Sequence, residues 1–149
     1  MKKLFLFFIA VAITVFSFAQ NVTTNASSGL AASYSTLAAA ITALNSATIN
    51  APVTITLASG YNETAPVGGY TITKTGTSVN TITIQGFSNS SRNIITAAIP
   101  TGTSSASSAT SYRTDAIFRI IGSDYVTLQN FTMNENSACT TGGVIATQR

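Results

Sequence analysis

Two short stretches of this chain are one pattern written twice. Residues 82–87 are ITIQGF and residues 126–131 are VTLQNF. Ile82, Thr83, Ile84, Gln85, Gly86 and Phe87 therefore match Val126, Thr127, Leu128, Gln129, Asn130 and Phe131 at a constant offset of 44. Ordinary strand alternation produces I-T-I-T by itself. It does not place Gln, then Gly or Asn, then Phe, in step. Gly and Asn enter left-handed turns most readily, so each copy reads as a strand running into a sharp turn. Internal repetition implies units that cannot bury an apolar face alone and must stack on one another.

The surrounding sequence supplies more strands of the same kind. PVTITL (52–57) alternates Val53, Ile55 and Leu57 with threonines, and YTIT (70–73), NIITA (93–97), AIFRII (116–121) and VIAT (144–147) are β-branched and short. Turn residues separate them in ASGYN, VGG, QGFSNS, IGSD, NEN and TGG. The strands group as triplets: YTIT, TITIQGF and NIITA, then AIFRII, VTLQNF and GVIAT. Residues 100–111, PTGTSSASSATS, are a polar low-complexity loop. Before the strands, Leu37, Ile41 and Leu44 fall at i, i+4 and i+7, which predicts a short amphipathic helix capped by Ser35 or Thr36. Residues 20–34 have no period and are expected to be a flexible leader. The register predicts that Ile55, Ile82, Ile84, Phe118, Ile120, Val126, Leu128 and Phe131 face inward, and that Thr42 and Asn45 face water.

The first residues stand apart. MKK precedes the apolar run LFLFFIAVAITVFSF, and Ser17 and Ala19 are small residues at cleavage-site spacing before Gln20. Residues 1–19 are therefore expected to be a secretory signal peptide, with no membrane span left after its removal. The whole chain carries a net charge of +3 over 149 residues. Without Lys2 and Lys3 the balance is Lys74, Arg92, Arg113, Arg119 and Arg149 against Glu63, Asp115, Asp124 and Glu135, a net of +1. No basic cluster suited to nucleic acid remains. Charged residues are 7% of the chain, so Ser, Thr and Asn must keep the surface wet. Cys139 is the only cysteine, which rules out an intrachain disulfide, and no basic neighbour would activate it. Histidine is absent, which removes the commonest general base and zinc ligand. No residue cluster identifies a catalytic, cofactor or metal site.

The stretch FRIIGSDYVTLQNFTM (118–133) resembles a coil of the right-handed parallel β-helix, or pectate-lyase-like, family, with Asn130 at the corner and Phe131 and Met133 inward. STLAAAITALN followed by PVTITLASGYNE is similar to the N-terminal cap and first rung of such proteins. The leader is similar to those of secreted Bacteroidetes proteins. The resemblance implies an all-β fold: an incomplete right-handed parallel β-helix over residues 35–149, closed at its N-terminal end by the capping helix. It also implies continuation into further coils or a C-terminal sorting domain. Together with the near-neutral exterior covered by Thr, Ser and Asn, such a fold suggests a secreted or cell-surface module, structural or adhesive, contacting polysaccharide or cell-surface glycan. Tyr61, Tyr70, Tyr112 and Tyr125 are candidate sugar-stacking residues. One alternative is the N-terminal part of a polysaccharide lyase or glycoside hydrolase whose active site lies beyond residue 149. Asp115 and Asp124 would be the nearest carboxylate pair within this segment, and turn placement is the simpler account of both. A minor alternative is ice binding, since Thr54-Ile55-Thr56, Thr71-Ile72-Thr73 and Thr81-Ile82-Thr83 resemble antifreeze faces. Their unequal intervals of 17 and 10 residues argue against stacking all three.

Overall fold

The computed structural model describes residues 20–99 and 116–138. The expected signal peptide, the 100–111 loop, Tyr112, Asp115, Cys139 and the GVIAT strand lie outside the described residues. The described chain forms ten strands and one helix in three sheets. The strands are β1 (Val22–Thr24), β2 (Ser33–Tyr34), β3 (Val53–Leu57), β4 (Glu63–Thr64), β5 (Tyr70–Ile72), β6 (Ile82–Gln85), β7 (Asn93–Thr96), β8 (Phe118–Ile120), β9 (Val126–Gln129) and β10 (Phe131–Asn134), with α1 (Leu37–Ser46) between β2 and β3.

The largest sheet has the order β2-β1-β3-β6-β9, the second β10-β7-β4 and the third β5-β8. Within them β3, β6 and β9 run parallel, as do β4, β7 and β10, and β5 and β8. The repeat at offset 44 is a direct strand pairing: Ile82, Thr83, Ile84 and Gln85 lie beside Val126, Thr127, Leu128 and Gln129. The third strand of the second set is Phe131–Asn134, which pairs with Asn93–Thr96. It begins only two residues after β9 because Asn130, at φ 62°, turns the chain in a single residue.

The expected all-β right-handed parallel β-helix is corrected. The fold is mixed α/β, and the five-stranded sheet is itself mixed because β1 pairs antiparallel with both β2 and β3. The three sheets hold five, three and two strands, and they do not close into a solenoid among the described residues. The physical source of the mixed sheet is the segment expected to be a flexible leader. Val22 is fully buried and Leu30 nearly so. Asn25 bonds the Pro52 carbonyl through Nδ2 (2.8 Å) and takes the Thr54 N–H on Oδ1 (3.1 Å). Ser27 Oγ also donates to Pro52 O at 2.6 Å. Strands β1 and β2 are three and two residues long, too short to display a period.

The helix forms where its pattern predicts. Thr36 is the N-cap and its side-chain oxygen accepts from Ala39 N at 3.1 Å. Leu37, Ala40, Ile41 and Leu44 are buried, and α1 packs on β5 and β2. Each large apolar side chain buried this way contributes about 1.5–3 kcal/mol. Thr42 is exposed as expected, but Asn45 is partly buried and differs from expectation. Its Nδ2 donates to Thr71 O at 2.8 Å and its Oδ1 accepts from Thr73 N at 3.0 Å, so a helix side chain satisfies β5 in the way another strand would.

The core contains Ile55, Ile82 and Ile84, fully buried as predicted. Phe118, Val126, Leu128 and Phe131 are partly buried and packed against it. Ile120 is 48% exposed, which corrects its inward placement. It pairs with the fully buried Ile72, but lies on β8, the outer strand of a two-stranded sheet.

Candidate functional site

The alternation of β3, β6 and β9 turns one face of the five-stranded sheet to the core and the other outward. On the outward face the register builds two rows across the strands. Thr54, Thr83 and Thr127 form one, and Thr56, Gln85 and Gln129 form the other, with Thr23 of β1 opposite Thr56. Neighbours within a row are about 4.8 Å apart, and the rows are separated by two residues along the strand, about 7 Å.

The second row is a hydrogen-bonded ladder. Gln129 Nε2 donates to Gln85 Oε1 at 2.7 Å, and Gln85 Nε2 donates to Thr56 Oγ1 at 3.1 Å. Thr23 Oγ1 donates to the Thr56 carbonyl at 3.3 Å. Every side chain in both rows is neutral. The described ionisable groups Glu63, Lys74, Arg92, Arg119, Asp124 and Glu135 sit on other elements or connections. Tyr125 precedes β9 at a corner with φ 57° and is 55% exposed. Its carbonyl accepts from Ile82 N at 2.9 Å, which ties that corner to the start of β6.

The other candidate residues have structural roles. Tyr70 is 1% exposed, and its ring packs tilted against Phe118 with centroids 5.1 Å apart. Phe118 in turn meets Phe131 at 5.7 Å. The Tyr70 hydroxyl is buried and makes no hydrogen bond of ordinary geometry among the described residues, with the Glu63 carboxylate near enough to act on it. Tyr61 is partly buried and donates to Glu63 Oε2 at 2.6 Å. Burial first, and then the Glu63 carboxylate, push both phenols well above the ordinary tyrosine range. Of the candidate sugar-stacking tyrosines among the described residues, Tyr61, Tyr70 and Tyr125, only Tyr125 is exposed.

Asp124 is exposed in the connection between β8 and β9. Its N–H donates to Thr75 Oγ1 at 2.9 Å and its carbonyl accepts from Gly76 N at 2.9 Å. Its suggested partner Asp115 lies outside the described residues, so the pair is not assembled among them. The sequence assigns no role to Glu63, and the structure gives it one. Its oxygens accept from Leu37 N at 2.8 Å and Ala38 N at 3.4 Å, where a carboxylate compensates the free N–H groups and dipole of α1. Among the described residues, no three His, Cys, Asp or Glu side chains gather as a metal site.

The threonine row also revises the expected Thr-rich face. Thr71-Ile72-Thr73 belongs largely to β5 in the two-stranded sheet, away from Thr54 and Thr83. The in-register row recruits Thr127 instead. Gln85 and Gln129 are equivalent positions of the repeat, and the offset of 44 is the signal that could have placed them side by side. No family model, curated protein or solved structure matches the chain.

Proposed function

We propose that this chain is a non-catalytic, exported module that contacts polysaccharide through the outward face of its five-stranded sheet. The observation that carries the reading is the charge-free pair of in-register hydroxyl and amide rows. Neutral sugars are bound by hydrogen-bonding groups that both donate and accept, with an aromatic ring to cover an apolar sugar face. The rows supply the first, and exposed Tyr125 at their border supplies the second. Export rests on the signal-like residues 1–19.

The test uses the mature chain, residues 20–149, incubated with insoluble cellulose, xylan, mannan and chitin. Bound protein and released oligosaccharide are measured together. Retention on at least one polymer without release of sugar is expected, weakened at least fivefold by Tyr125→Ala. Absence of retention, or turnover of any polymer, would overturn the proposal.

One observation favours a second reading, ice binding: Thr54, Thr83 and Thr127 repeat across three parallel strands. Thermal hysteresis abolished by Thr83→Val, together with no polysaccharide retention, would select it.

A further inference from the structure

We propose that the Thr56–Gln85–Gln129 ladder, with the Thr54–Thr83–Thr127 row beside it, is a binding track for a neutral, hydroxyl-rich polysaccharide whose chain runs across the strands. This inference rests on the carbohydrate reading above and adds the ligand class, its direction and the residues that read it.

Direction follows from which way the chemistry repeats. On β6 and β9 the outward residues change along the strand, from Thr83 to Gln85 and from Thr127 to Gln129, while on β3 both are threonines. Across the strands like groups recur at the strand spacing, about 4.8 Å. A polymer of identical units meets the same partner at each step only if its axis lies along the rows. An extended β-linked glycan advances by a comparable distance per sugar, so one sugar can face each strand, with alternate sugars turning opposite edges toward the rows.

Ligand class follows from valence and charge. A primary amide offers two donors and two acceptor positions. The ladder uses one donor of Gln129 and one of Gln85, together with one acceptor position of Gln85. Among the described residues each amide therefore retains one N–H and at least one lone pair, the complement of a hydroxyl. The track holds no ionised side chain, so a carboxylated or sulfated polymer would lose hydration on docking with no counter-charge to offset the loss.

The track is also ordered before any ligand arrives. The ladder holds two glutamine side chains that would otherwise lose rotamer freedom on binding, and each such loss weakens association. The threonines are β-branched and already restricted at χ1. Binding at such a surface depends on the ladder itself, which sets it apart from general stickiness of a Thr-rich protein.

The experiment is affinity electrophoresis and calorimetry of the mature chain with hydroxyethyl cellulose, xylan and galactomannan, and with carboxymethyl cellulose as the anionic counterpart. Variants are Q129L, Q85L/Q129L and T132V. Gln129 is exposed on β9, so Q129L leaves the core untouched, and exposed Thr132 lies on β10 in another sheet. The expected results are binding of at least one neutral polymer, at least tenfold weaker binding by Q85L/Q129L, and an intermediate loss for Q129L. T132V binds as the unmodified chain does, and far-ultraviolet circular dichroism stays the same throughout. Should Q85L/Q129L fail to fold, Q129L alone decides. Neutral binding unaffected by the glutamine variants, or weakened equally by T132V, overturns the track and leaves the carbohydrate reading standing. Equal or tighter binding of carboxymethyl cellulose overturns the neutral ligand class. Failure of every polymer to bind overturns both.

Discussion

Gly86→Ala isolates why the repeat carries Gly in one copy and Asn in the other. The residue types predict a left-handed turn at both positions. Asn130 takes one, at φ 62°, whereas Gly86 is not among the residues with positive φ. Gly86 is required by its neighbours. It is buried, and a Cβ there would run directly into the Asn130 carbonyl oxygen of the adjacent strand end. The same Cβ would lie 3.0 Å from the Asn130 carbonyl carbon and 3.0 Å from Asn93 Oδ1. Neither obstacle is the free end of a flexible side chain. The Asn130 atoms are backbone, and Asn93 Oδ1 is held by the Phe87 N–H at 2.6 Å.

Relief must move the corner between β9 and β10. That movement strains or breaks the 3.0 Å bond from Gly86 N to Gln129 O. Overpacking of this kind costs about 1–3 kcal/mol, and a lost hydrogen bond adds about 1 kcal/mol. Alanine also restricts the unfolded chain, which offsets about 0.4–1 kcal/mol. The net expectation is a loss of about 2–3 kcal/mol, read by urea unfolding followed with far-ultraviolet circular dichroism. Gly122→Ala is the control: its φ is 61°, but nothing lies within 4 Å of its added Cβ. It should cost only the left-handed penalty, about 1–2 kcal/mol. A Gly86→Ala protein within about 0.5 kcal/mol of the parent would refute the close-approach explanation.

Tyr70→Phe removes a buried hydroxyl that makes no hydrogen bond of ordinary geometry among the described residues and should stabilise the protein by about 1 kcal/mol, measured in the same urea titration. Asn93→Ala should cost about 2–4 kcal/mol, because Asn93 Nδ2 donates to the Ala58 and Tyr61 carbonyls and its Oδ1 accepts from Phe87 N; the Ala58 carbonyl keeps its bond from Tyr61 N, but the Tyr61 carbonyl and the Phe87 N–H lose these partners. Leu37→Ala should cost about 2–5 kcal/mol by opening a cavity beneath α1, which packs on β5 and β2, with a proportionate drop in melting temperature. Stability should be level with respect to the tyrosines up to about pH 10 and fall above it. The unfolded chain then releases phenol protons that Tyr61 and Tyr70 retain when folded, so their contribution is lost as pH rises. The double Tyr61→Phe/Tyr70→Phe protein should show a flatter alkaline limb.

The candidate face was legible in part. Alternation in β3, β6 and β9 is a local property, so the sequence alone marks Thr54, Thr83 and Thr127 as outward. Which of them share a row depends on the lengths of the connections, and Thr71 leaves the row because its strand belongs to another sheet. The Glu63 cap and the Asn45 bridge join residues 25–28 apart through single side chains, and no periodic pattern encodes such contacts.

Repetition also fixes direction without fixing depth. Tyr70, Ile82, Ile84 and Ile95 pair in register with Phe118, Val126, Leu128 and Met133. The first four are at most 1% exposed, while the second four are only partly buried. Each first member has a strand or helix on both sides: β3 and β9 flank β6, β4 and β10 flank β7, and α1 and β8 adjoin β5. Each second member lies on an outer strand of its sheet among the described residues. Two copies of one pattern thus turn their apolar side chains the same way yet exclude water unequally. Burial of an apolar group is set by the next layer of atoms, which the residue's own strand does not contain. Phe131 shows the consequence. It follows the repeated pattern, but its partner in register is Asn93, whose side chain is committed to three backbone groups, and the ring packs sideways onto Phe118. Its truncation to Ala should therefore fall below the roughly 3–5 kcal/mol typical of a fully buried phenylalanine, and a full-sized loss in urea unfolding would show that water is excluded from it after all.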